Sequence, residues 1–324
     1  MSSVPLVNVI RSGLEESLHV GDIAVVDAEG RLVASAGDAQ RMLFARSSMK
    51  PLQATVSLSL APLSFTSREI AVMCASHNGE PVHLEAVRSL LARAGVPESA
   101  LRCPAVRPWD EESSSKAPRR LRINSDCSGK HAGMLAACRG QGWQEETYLE
   151  PAHPLQQSVL SAVLGVTGQE SVSVGVDGCG VPVHGMALRS MARIYARLST
   201  PERWSGLQAH VSRAVRAMRE EPYLVAGRNR TDTAVMEAVK DVVVKGGAEG
   251  LMCAAVLDRS LGVAVKVRDG GHRASGLAMI HALAALDVLE GAAMTRLEPF
   301  ARPPVLGGGR PVGELVARFT LTRA

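Results

Sequence analysis

The sequence predicts a mixed α/β (α+β) fold, in which helices pack on a mixed, partly antiparallel sheet. Strand hairpins are predicted towards both ends of the chain, and amphipathic helical segments occupy the stretch between them. Apolar residues make up 46% of the 324 residues and charged residues 21%, which is typical of a globular protein. Because no repeat, heptad pattern or clear linker divides the sequence, we expect one domain over residues 1–324, of one or two lobes.

The first elements carry clear boundary signals. The segment DIAVVDAEGRLVASAG is typical of a hairpin that turns at Glu29–Gly30. A helix from about residue 47 follows, and then TSREIAVMCAS, which starts with a capping box between Thr66 and Glu69. The segment PVHLEAVRSLLARAG has Pro81 at its start and Gly95 at its end, as a helix should.

The later elements are predicted from periodicity. A polar loop is expected at RPWDEESSSKAPRR, a helix at SGKHAGMLAACRG and a buried strand at SVSVGVD. Two long amphipathic helices are predicted over VHGMALRSMARIYARL and PERWSGLQAHVSRAVRAMREE. A second hairpin joins LMCAAVL to GVAVKVRDG, and a last helix runs from about His272 to Leu289.

The composition argues against nucleic-acid and membrane partners. The net charge is only +4, and with 3% aromatic residues few rings could stack on bases. The best candidate for a membrane span, SGLAMIHALAALDVL, is interrupted by His281 and Asp287. The segment MSSVPLVNVIRSG lacks the basic start and apolar stretch of a secretion signal, so we expect a cytoplasmic location. The six cysteines should then stay reduced, as core residues, metal ligands or nucleophiles.

The stretch FARSSMKPLQ places Ser47 three residues before Lys50 at a predicted helix start. Residues spaced by three share a helix face, so the hydroxyl and the amine can meet. A serine needs a base to act as a nucleophile, and a lysine is that base only when it is neutral. The N–H groups of a helix start can stabilise an oxyanion. The structural alternative is that Ser47 caps the helix and Lys50 is exposed.

Other lysines bear on this hypothesis. The Ser-x-x-Lys spacing recurs at Ser113 and Lys116, where we predict a solvated surface stretch without a helix. Lys266 lies instead in the apolar strand GVAVKVRDG, and lysine is uncommon in buried strands unless it is paired. Serine acyl enzymes of the β-lactamase type place a Lys-Thr-Gly on such a late strand, which Lys266 matches loosely.

Cysteines occur in two glycine-rich turns that could hold a metal ion. Zinc needs three or four ligands, and the absence of a C-x-x-C pair excludes a zinc ribbon. The alternative is that these cysteines simply pack in tight turns. The available donors are Cys127, Lys130, His131, Asp177, Cys179 and His184. Cysteines among apolar residues, predicted to be core side chains, are Cys74, Cys138 and Cys253, with Cys103 undecided.

The sequence resembles one known family through six motifs in order: RSSMKP, CASHNGEPVH, CSGKHAGML, VDGCGVPVHG, KGGAEG and VKVRDGGHRA. They resemble the rhizobial-type (class 3) L-asparaginases of the asparaginase II family, from about Val7 to Leu289. The resemblance implies a fold similar to serine β-lactamases and glutaminases, a homodimer, and L-asparagine as substrate. Two departures stand out: Asn-Ser-Asp precedes Cys127 where the family usually has His-Asn-Asn, and position 78 is Asn where Ser is common.

The resemblance also implies roles for individual residues. Ser47 matches the nucleophile and Lys50 its paired lysine, while Ser76 and Lys266 match a second Ser–Lys pair. The ligands of a zinc ion, completed by water, match Cys127, Lys130 and Cys179. Charged residues of the motifs that could hold the substrate's α-carboxylate or α-amine, or form structural ion pairs, are Arg46, Asp177 and Glu249.

Three alternatives to an L-asparaginase remain open at this stage. A glutaminase or broader amidase would use the same chemistry, because one methylene separates the two amide substrates. A β-lactamase-like enzyme or esterase would also use a Ser–Lys nucleophile. A zinc- or amino-acid-binding protein without catalysis would bind ligand and release no ammonia.

Overall fold

The structure, a computed structural model, describes residues 2–324. These residues form two compact units. Unit 1 comprises the chain up to Ser48, Met186–Thr200 and Ala234–Ala324, and unit 2 comprises Met49–Gly185 and Pro201–Thr233. Each unit is therefore assembled from separate stretches of sequence. The single domain over residues 1–324 stays a prediction.

Strands and helices are mixed along the chain, which confirms the predicted α/β class. The strands are β1 (Val4–Arg11), β2 (Leu14–Asp27), β3 (Leu32–Ala36), β4 (Met42–Phe44), β5 (Ser173–Val176), β6 (Pro182–Ala187), β7 (Val242–Gly247), β8 (Leu251–Val256), β9 (Leu261–Val267), β10 (Pro304–Gly307), β11 (Arg310–Ala317) and β12 (Thr322–Arg323). The helices are α1 (Lys50–Leu60), α2 (Ser67–Met73), α3 (Pro81–Arg93), α4 (Glu111–Lys116), α5 (Ser128–Gln141), α6 (Pro154–Thr167), α7 (Leu188–Leu198), α8 (Gln208–Glu220), α9 (Pro222–Val225), α10 (Thr231–Ala238), α11 (His272–Ala285) and α12 (Gly291–Ala301). Across residues 2–324, none of the helices has the length and hydropathy needed to cross a membrane.

Unit 1 is built on an antiparallel sheet. Nine strands of the described chain pair in the order β10-β11-β1-β2-β9-β8-β7, with β3 beside β2 and β12 beside β3. Strands β7 and β8 are buried along their whole length, and α7 and α11 pack on the sheet. Helix α7 comes close to β9 because of Gly262, where an added Cβ would lie 1.8 Å from the carbonyl oxygen of Ala192. Burying each Val or Leu of such a layer contributes about 1.5–3 kcal/mol.

Unit 2 is mostly helical. Helix α5 is buried from Ser128 to Cys138 and packs against α1, α2 and α3. A Cβ added at Gly129 would lie 2.1 Å from the carbonyl oxygen of Val72, so only glycine lets the first turn of α5 approach α2 this closely. This approach positions the segment that carries Cys127 and Lys130 beside the end of α2.

Several predicted elements are confirmed. The first hairpin turns at Gly30, whose N–H donates to the carbonyl of Asp27. The predicted capping box is present, with Thr66 accepting from the N–H of Glu69 and the Glu69 carboxylate accepting from the N–H of Thr66. Helix α3 and helix α5 occupy the predicted segments, and β8 and β9 form the second hairpin.

Other predictions are wrong. The polar loop contains helix α4, which Asp110 caps by accepting from the N–H of Ser113, so the Ser113–Lys116 stretch is exposed but helical. The strand β5 is exposed instead of buried, with Val176 76% exposed. The helix predicted from Val183 onwards begins as strand β6, and only its second half is helix α7.

The helix predicted from Pro201 is also displaced, because α8 begins only at Gln208 after a 3-10 turn at Pro201–Arg203. The last predicted helix ends at Ala285 instead of Leu289. Helix α12 and strands β10 to β12 follow it and were not predicted.

Candidate active site

Lys50 and Ser76 form a buried pair in unit 2. Lys50 is the first residue of α1, where Pro51 suits the first helical turn, and its side chain is fully buried. Its ε-amine donates to the hydroxyl of Ser76 at 2.8 Å and to the carbonyl of Ala75 at 2.6 Å. Ser76 follows α2 and is 4% exposed. The structural alternative of an exposed Lys50 is therefore wrong.

Asp126 completes the surroundings of this lysine. Its carboxylate lies 3.5 Å from the amine of Lys50, and its carbonyl lies 3.3 Å from the same atom. The Cys127 thiol lies 3.6 Å from the same carboxylate. Asp126 thus connects the serine–lysine pair with the cysteine cluster described next. The sequence analysis did not propose it, because an aspartate in a polar turn carries no distinctive signal.

Cys127, Lys130 and Cys179, which the family resemblance assigns as metal ligands, lie in one buried cluster. Cys127 is the N-cap of α5, Lys130 lies in the first turn of that helix, and Cys179 lies in the turn between β5 and β6. The amine of Lys130 lies 2.9 Å from the sulfur of Cys179, and the nearby thiols of Cys127 and Cys179 each shift the pKa of the other. All three side chains are buried. Asp177 lies beside them, with its carboxylate 3.8 Å from the Cys179 sulfur.

The cluster is strongly polarised. A hydrogen bond from Cys127, helped by the charge of Lys130, lowers the pKa of Cys179 far below its usual range. The same hydrogen bond, together with burial, raises the pKa of Cys127 well above its usual range. Burial by itself would lower the pKa of Lys130, but the charges of Cys179 and Cys127 outweigh it and raise that pKa. Without a metal ion, these directions favour a thiolate at Cys179, a thiol at Cys127 and an ammonium at Lys130.

His131 lies behind Cys179 in a hydrogen-bonded chain. The N–H of Arg102 donates to the Tyr148 hydroxyl at 3.1 Å, and that hydroxyl lies 2.6 Å from Nδ1 of His131. Burial lowers the pKa of His131, so the ring is neutral. Nε2 is buried without a hydrogen-bond partner among the described residues, and the groups that act on the pKa of the ring include Cys179, which raises it, and Lys130, which lowers it.

The donor set of the cluster fits a zinc ion. Thiolate and amine or imidazole nitrogen are ligands that zinc accepts in protein sites. The two sulfur atoms of Cys127 and Cys179 and the nitrogen of Lys130 are donors of this kind, and His131 lies close to Cys179. Within residues 2–324, no three His, Cys, Asp or Glu side chains gather as a metal site, so a zinc site here depends on the lysine.

Ser47 lies in unit 1 on a 3-10 turn, Arg46–Met49, which leads directly into α1. Its side chain is half-buried, and its hydroxyl makes no hydrogen bond with another residue of the described chain. The neighbouring Ser48 is buried instead and donates to the carbonyl of Lys245 at 3.1 Å. The hydroxyl of Tyr195 donates to the carbonyl of Ser48 at 2.7 Å, which fixes the backbone next to Ser47.

Arg46 and Glu249 form an ion pair in unit 1 at 4.0 Å. Both have positive φ, 42° and 62°, a conformation that costs a residue with a side chain about 1–3 kcal/mol. Such strain is often stored at functional sites. Lys266 contacts the same turn, because its amine donates to the carbonyl of Glu249 and, at 3.0 Å, to that of Val267. Lys266 is half-buried, and burial lowers its pKa.

Lys245 is a buried lysine that the sequence analysis missed. It lies on β7, is fully buried, and its amine donates to the carbonyl of Gly246 at 2.6 Å. The signal was present, since Lys245 interrupts the apolar run VVVKGG much as Lys266 interrupts GVAVKV. The motif KGGAEG that carries Lys245 was recognised, but the lysine within it was not assigned a role.

The remaining cysteines are ordinary buried thiols. Cys74, Cys138 and Cys253 are fully buried, as predicted. Burial raises the pKa of Cys138 and of Cys253 to about 12. Cys103, left undecided by the sequence, is buried too, and burial raises its pKa to about 11.

Unit 2 thus contains a buried serine–lysine pair that Asp126 connects to a cysteine–lysine cluster. The chain belongs to the L-asparaginase II family, whose profile matches residues 7–317. This membership supports an asparaginase-type amidohydrolase. No curated protein sequence matches the chain.

Solved structures with a similar fold include hydrolases. A β-lactamase (Mb2281c) from Mycobacterium bovis has 17% identity and a TM-score of 0.45, with 83% of this chain and 95% of that chain covered. A probable glutaminase from Bacillus subtilis has 13% identity and a TM-score of 0.39, with coverage of 83% and 84%. A protein named Mglu has 15% identity and a TM-score of 0.40, and the match spans 85% of this chain but only 66% of that one. Similarity at this level carries no information on substrate.

Proposed function

We propose that the protein hydrolyses L-asparagine to L-aspartate and ammonia through a serine acyl-enzyme. The observation that carries the proposal is the buried Lys50–Ser76 hydrogen bond of 2.8 Å in a member of the L-asparaginase II family. A buried amine in contact with a serine hydroxyl is the arrangement that moves a proton during acyl transfer. The half-buried Ser47 hydroxyl, which makes no hydrogen bond within residues 2–324, suits a nucleophile that waits for its substrate.

In the proposed reaction, Ser47 Oγ attacks the carbonyl carbon of the substrate's side-chain amide, and Lys50 takes the hydroxyl proton. The C–N bond then breaks, and the amide nitrogen leaves as ammonia after it receives a proton from a lysine, with Ser76 as a relay. This leaves a β-aspartyl ester on Ser47. Water then attacks the ester carbonyl while a lysine takes one of its protons, the bond from Ser47 Oγ to the acyl carbon breaks, and the lysine returns that proton to Ser47 Oγ as L-aspartate leaves. Backbone N–H groups at the start of α1 are the proposed oxyanion donors.

A second lysine is proposed to take part in the reaction. Lys266 is the lysine that the family resemblance assigns, and its lowered pKa favours the neutral, basic form. Lys245 is a further candidate, because it is fully buried while Lys266 is half-buried. For Arg46, Asp177 and Glu249 we propose contacts with the α-carboxylate and α-amine of the substrate. The positive φ values of Arg46 and Glu249 support this role, since such strain is often stored at functional sites.

We also propose that Cys127, Lys130 and Cys179 hold a zinc ion. A bound zinc ion would supply a fixed positive charge, and thus Lewis acidity, at this cluster. Asp126 contacts both Cys127 and Lys50, and therefore connects the proposed zinc site to the serine–lysine pair. To bind zinc, Lys130 and Cys127 must each lose a proton.

The assembly and location are proposals as well. The family resemblance implies a homodimer, which size-exclusion chromatography with light scattering would test. All six cysteines are free, as expected in the reducing cytoplasm.

The proposed reaction is tested by ammonia release from L-asparagine and L-glutamine, measured side by side with the purified protein. We expect release from L-asparagine. Release from L-glutamine alone would identify a glutaminase that uses the same residues. Turnover of a chromogenic β-lactam without ammonia release from either amide would identify a β-lactamase-like enzyme. Binding of amino acid without any turnover would favour the non-catalytic alternative.

A further inference from the structure

We propose that Arg230 binds the α-carboxylate of the amino-acid substrate beside Ser76, and so restricts the enzyme to amides that carry a free carboxylate. The inference rests on the proposed function, which it extends by naming a substrate-binding residue. Arg230 lies in unit 2, in the loop just before α10, and no motif of the sequence analysis included it.

Arg230 is held against Ser76 by groups without charge. One nitrogen of its guanidinium, Nη1, donates to the carbonyl of Ser76 at 3.2 Å and to Oδ1 of Asn78 at 3.0 Å. The guanidinium carbon lies 5.5 Å from the centre of the Trp109 ring, within the range of a cation–π contact. These contacts hold the guanidinium beside Ser76. The hydroxyl of the same Ser76 contacts Lys50.

Arg228, two residues earlier in the same loop, serves as a comparison because carboxylates surround its guanidinium. Arg228 lies 2.9 Å from a carboxylate oxygen of Glu112, 3.6 Å from Asp110 and 3.7 Å from Glu80. Its charge is therefore balanced several times over. No aspartate or glutamate of residues 2–324 forms such an ion pair with Arg230. A half-buried guanidinium without a carboxylate partner is ready to accept one from a ligand.

The donors and the local charge both favour an anion. A guanidinium has five N–H groups in a fork that matches a carboxylate, and only Nη1 of Arg230 makes a hydrogen bond within the described chain. Two basic side chains contact Ser76: Lys50 donates to its hydroxyl, and the guanidinium of Arg230, which is a cation, donates to its carbonyl. The one carboxylate at the pair is Asp126, which lies on the lysine. An anionic group of the substrate would balance the charge of the guanidinium.

The test compares two amides that differ only in the α-carboxylate. L-Asparagine carries this group, and β-alaninamide is the same molecule without it. In the Arg230→Gln variant, we expect kcat/KM for L-asparagine to fall about 10- to 100-fold, mostly through a higher KM. The much slower reaction with β-alaninamide should be almost unchanged. Arg230→Lys, which keeps the charge but not the fork, should recover part of the loss.

Arg228→Gln is the matched control, because it removes an arginine two residues away whose charge is already paired. It should leave the preference for L-asparagine over β-alaninamide intact. Equal losses on both amides in Arg230→Gln would overturn the proposal, since Arg230 would then only support the Ser76 backbone. A selective loss in Arg46→Gln instead of Arg230→Gln would overturn it as well.

The proposal is also tested without turnover. Isothermal titration calorimetry should show that the wild-type protein binds the product L-aspartate more tightly than β-alanine, which lacks the α-carboxylate. Arg230→Gln should remove this difference. Binding with the expected preference but without ammonia release would contradict the proposed reaction and leave the Arg230 assignment standing. Equal binding of L-aspartate by wild type and Arg230→Gln would overturn the Arg230 assignment alone.

Discussion

The ε-amine of Lys50 donates to the hydroxyl of Ser76 at 2.8 Å, and both side chains are buried in unit 2. If this pair moves protons, Lys50→Met should lower kcat for L-asparagine about 100- to 10,000-fold. Ser76→Ala should have an effect in the same direction. Ammonia release measures both. Lys116→Met is the control, since Lys116 belongs to the other Ser-x-x-Lys match and is exposed on α4. Undiminished kcat in Lys50→Met would remove the lysine from the reaction.

Zinc binding should release protons. Cys127 and Lys130 both have raised pKa values in the metal-free cluster and must each lose a proton, whereas the lowered pKa of Cys179 keeps it as a thiolate. We therefore expect roughly two protons to be released per zinc ion near neutral pH. Calorimetry in buffers of different ionisation enthalpy measures this number.

The same argument sets the sign of the pH dependence. Zinc affinity should rise from pH 6 to 8.5, because protons compete with the metal below the raised pKa values. Cys179→Ser should weaken zinc binding strongly. Cys138→Ser, at a buried thiol of unit 2 outside the cluster, should not. A flat affinity across this pH range would argue against Lys130 as a ligand.

Acid should destabilise the fold through neutral buried histidines. Burial lowers the pKa of His77 well below its ordinary value of 6.5, and burial also lowers that of His83. The unfolded chain therefore binds more protons than the folded one as the pH falls below about 6.5. The contribution of these neutral histidines to the free energy of unfolding is present above that pH and is lost below it. Tm should therefore fall between pH 7 and 5.

A matched pair of variants isolates this effect. His77→Gln should flatten the fall in Tm, whereas the same change at the exposed His272 should not. Differential scanning fluorimetry across the pH range measures both. A Tm profile that is equally steep in His77→Gln would show that the acid sensitivity comes from elsewhere.

Close packing at Gly129 should be required for stability. An added Cβ would lie 2.1 Å from the carbonyl oxygen of Val72, so Gly129→Ala should lower the free energy of unfolding by about 1–3 kcal/mol. Gly165 lies inside α6, and a Cβ added there meets no atom within 4 Å. Gly165→Ala should therefore raise the free energy of unfolding by about 0.5–1 kcal/mol. Urea titration measures both values, and a neutral Gly129→Ala would contradict the packing argument.

The sequence predicted correctly those turns and helix starts whose hydrogen bonds join residues close together in the chain. The turn at Gly30 and the capping box at Thr66 involve residues a few positions apart, and both are present. Strand β11 pairs with β1, about 300 residues earlier in the chain, and no local pattern could reveal it. The segment at Val183 was predicted as helix because a short apolar run does not distinguish a helix from a buried strand.

The part of the candidate site that lies within family motifs could be proposed from the sequence. Family resemblance brought Cys127, Lys130 and Cys179 together, and the structure places them in contact. Asp126 and Arg230 were missed because each lies in a polar turn, where charged residues are ordinary. Their importance comes from what they contact in space, Lys50 and Ser76, and that required the fold.

The central claim is that Ser47 is the nucleophile, and one comparison tests it most directly. Ammonia release from L-asparagine should be measured for wild type, Ser47→Ala and Ser113→Ala. The account predicts a loss of about 1,000-fold or more in Ser47→Ala. Ser113→Ala, at the half-buried serine of the other Ser-x-x-Lys match, should match wild type. Wild-type rates in Ser47→Ala would contradict the account and leave Ser47 as a structural residue at the start of α1.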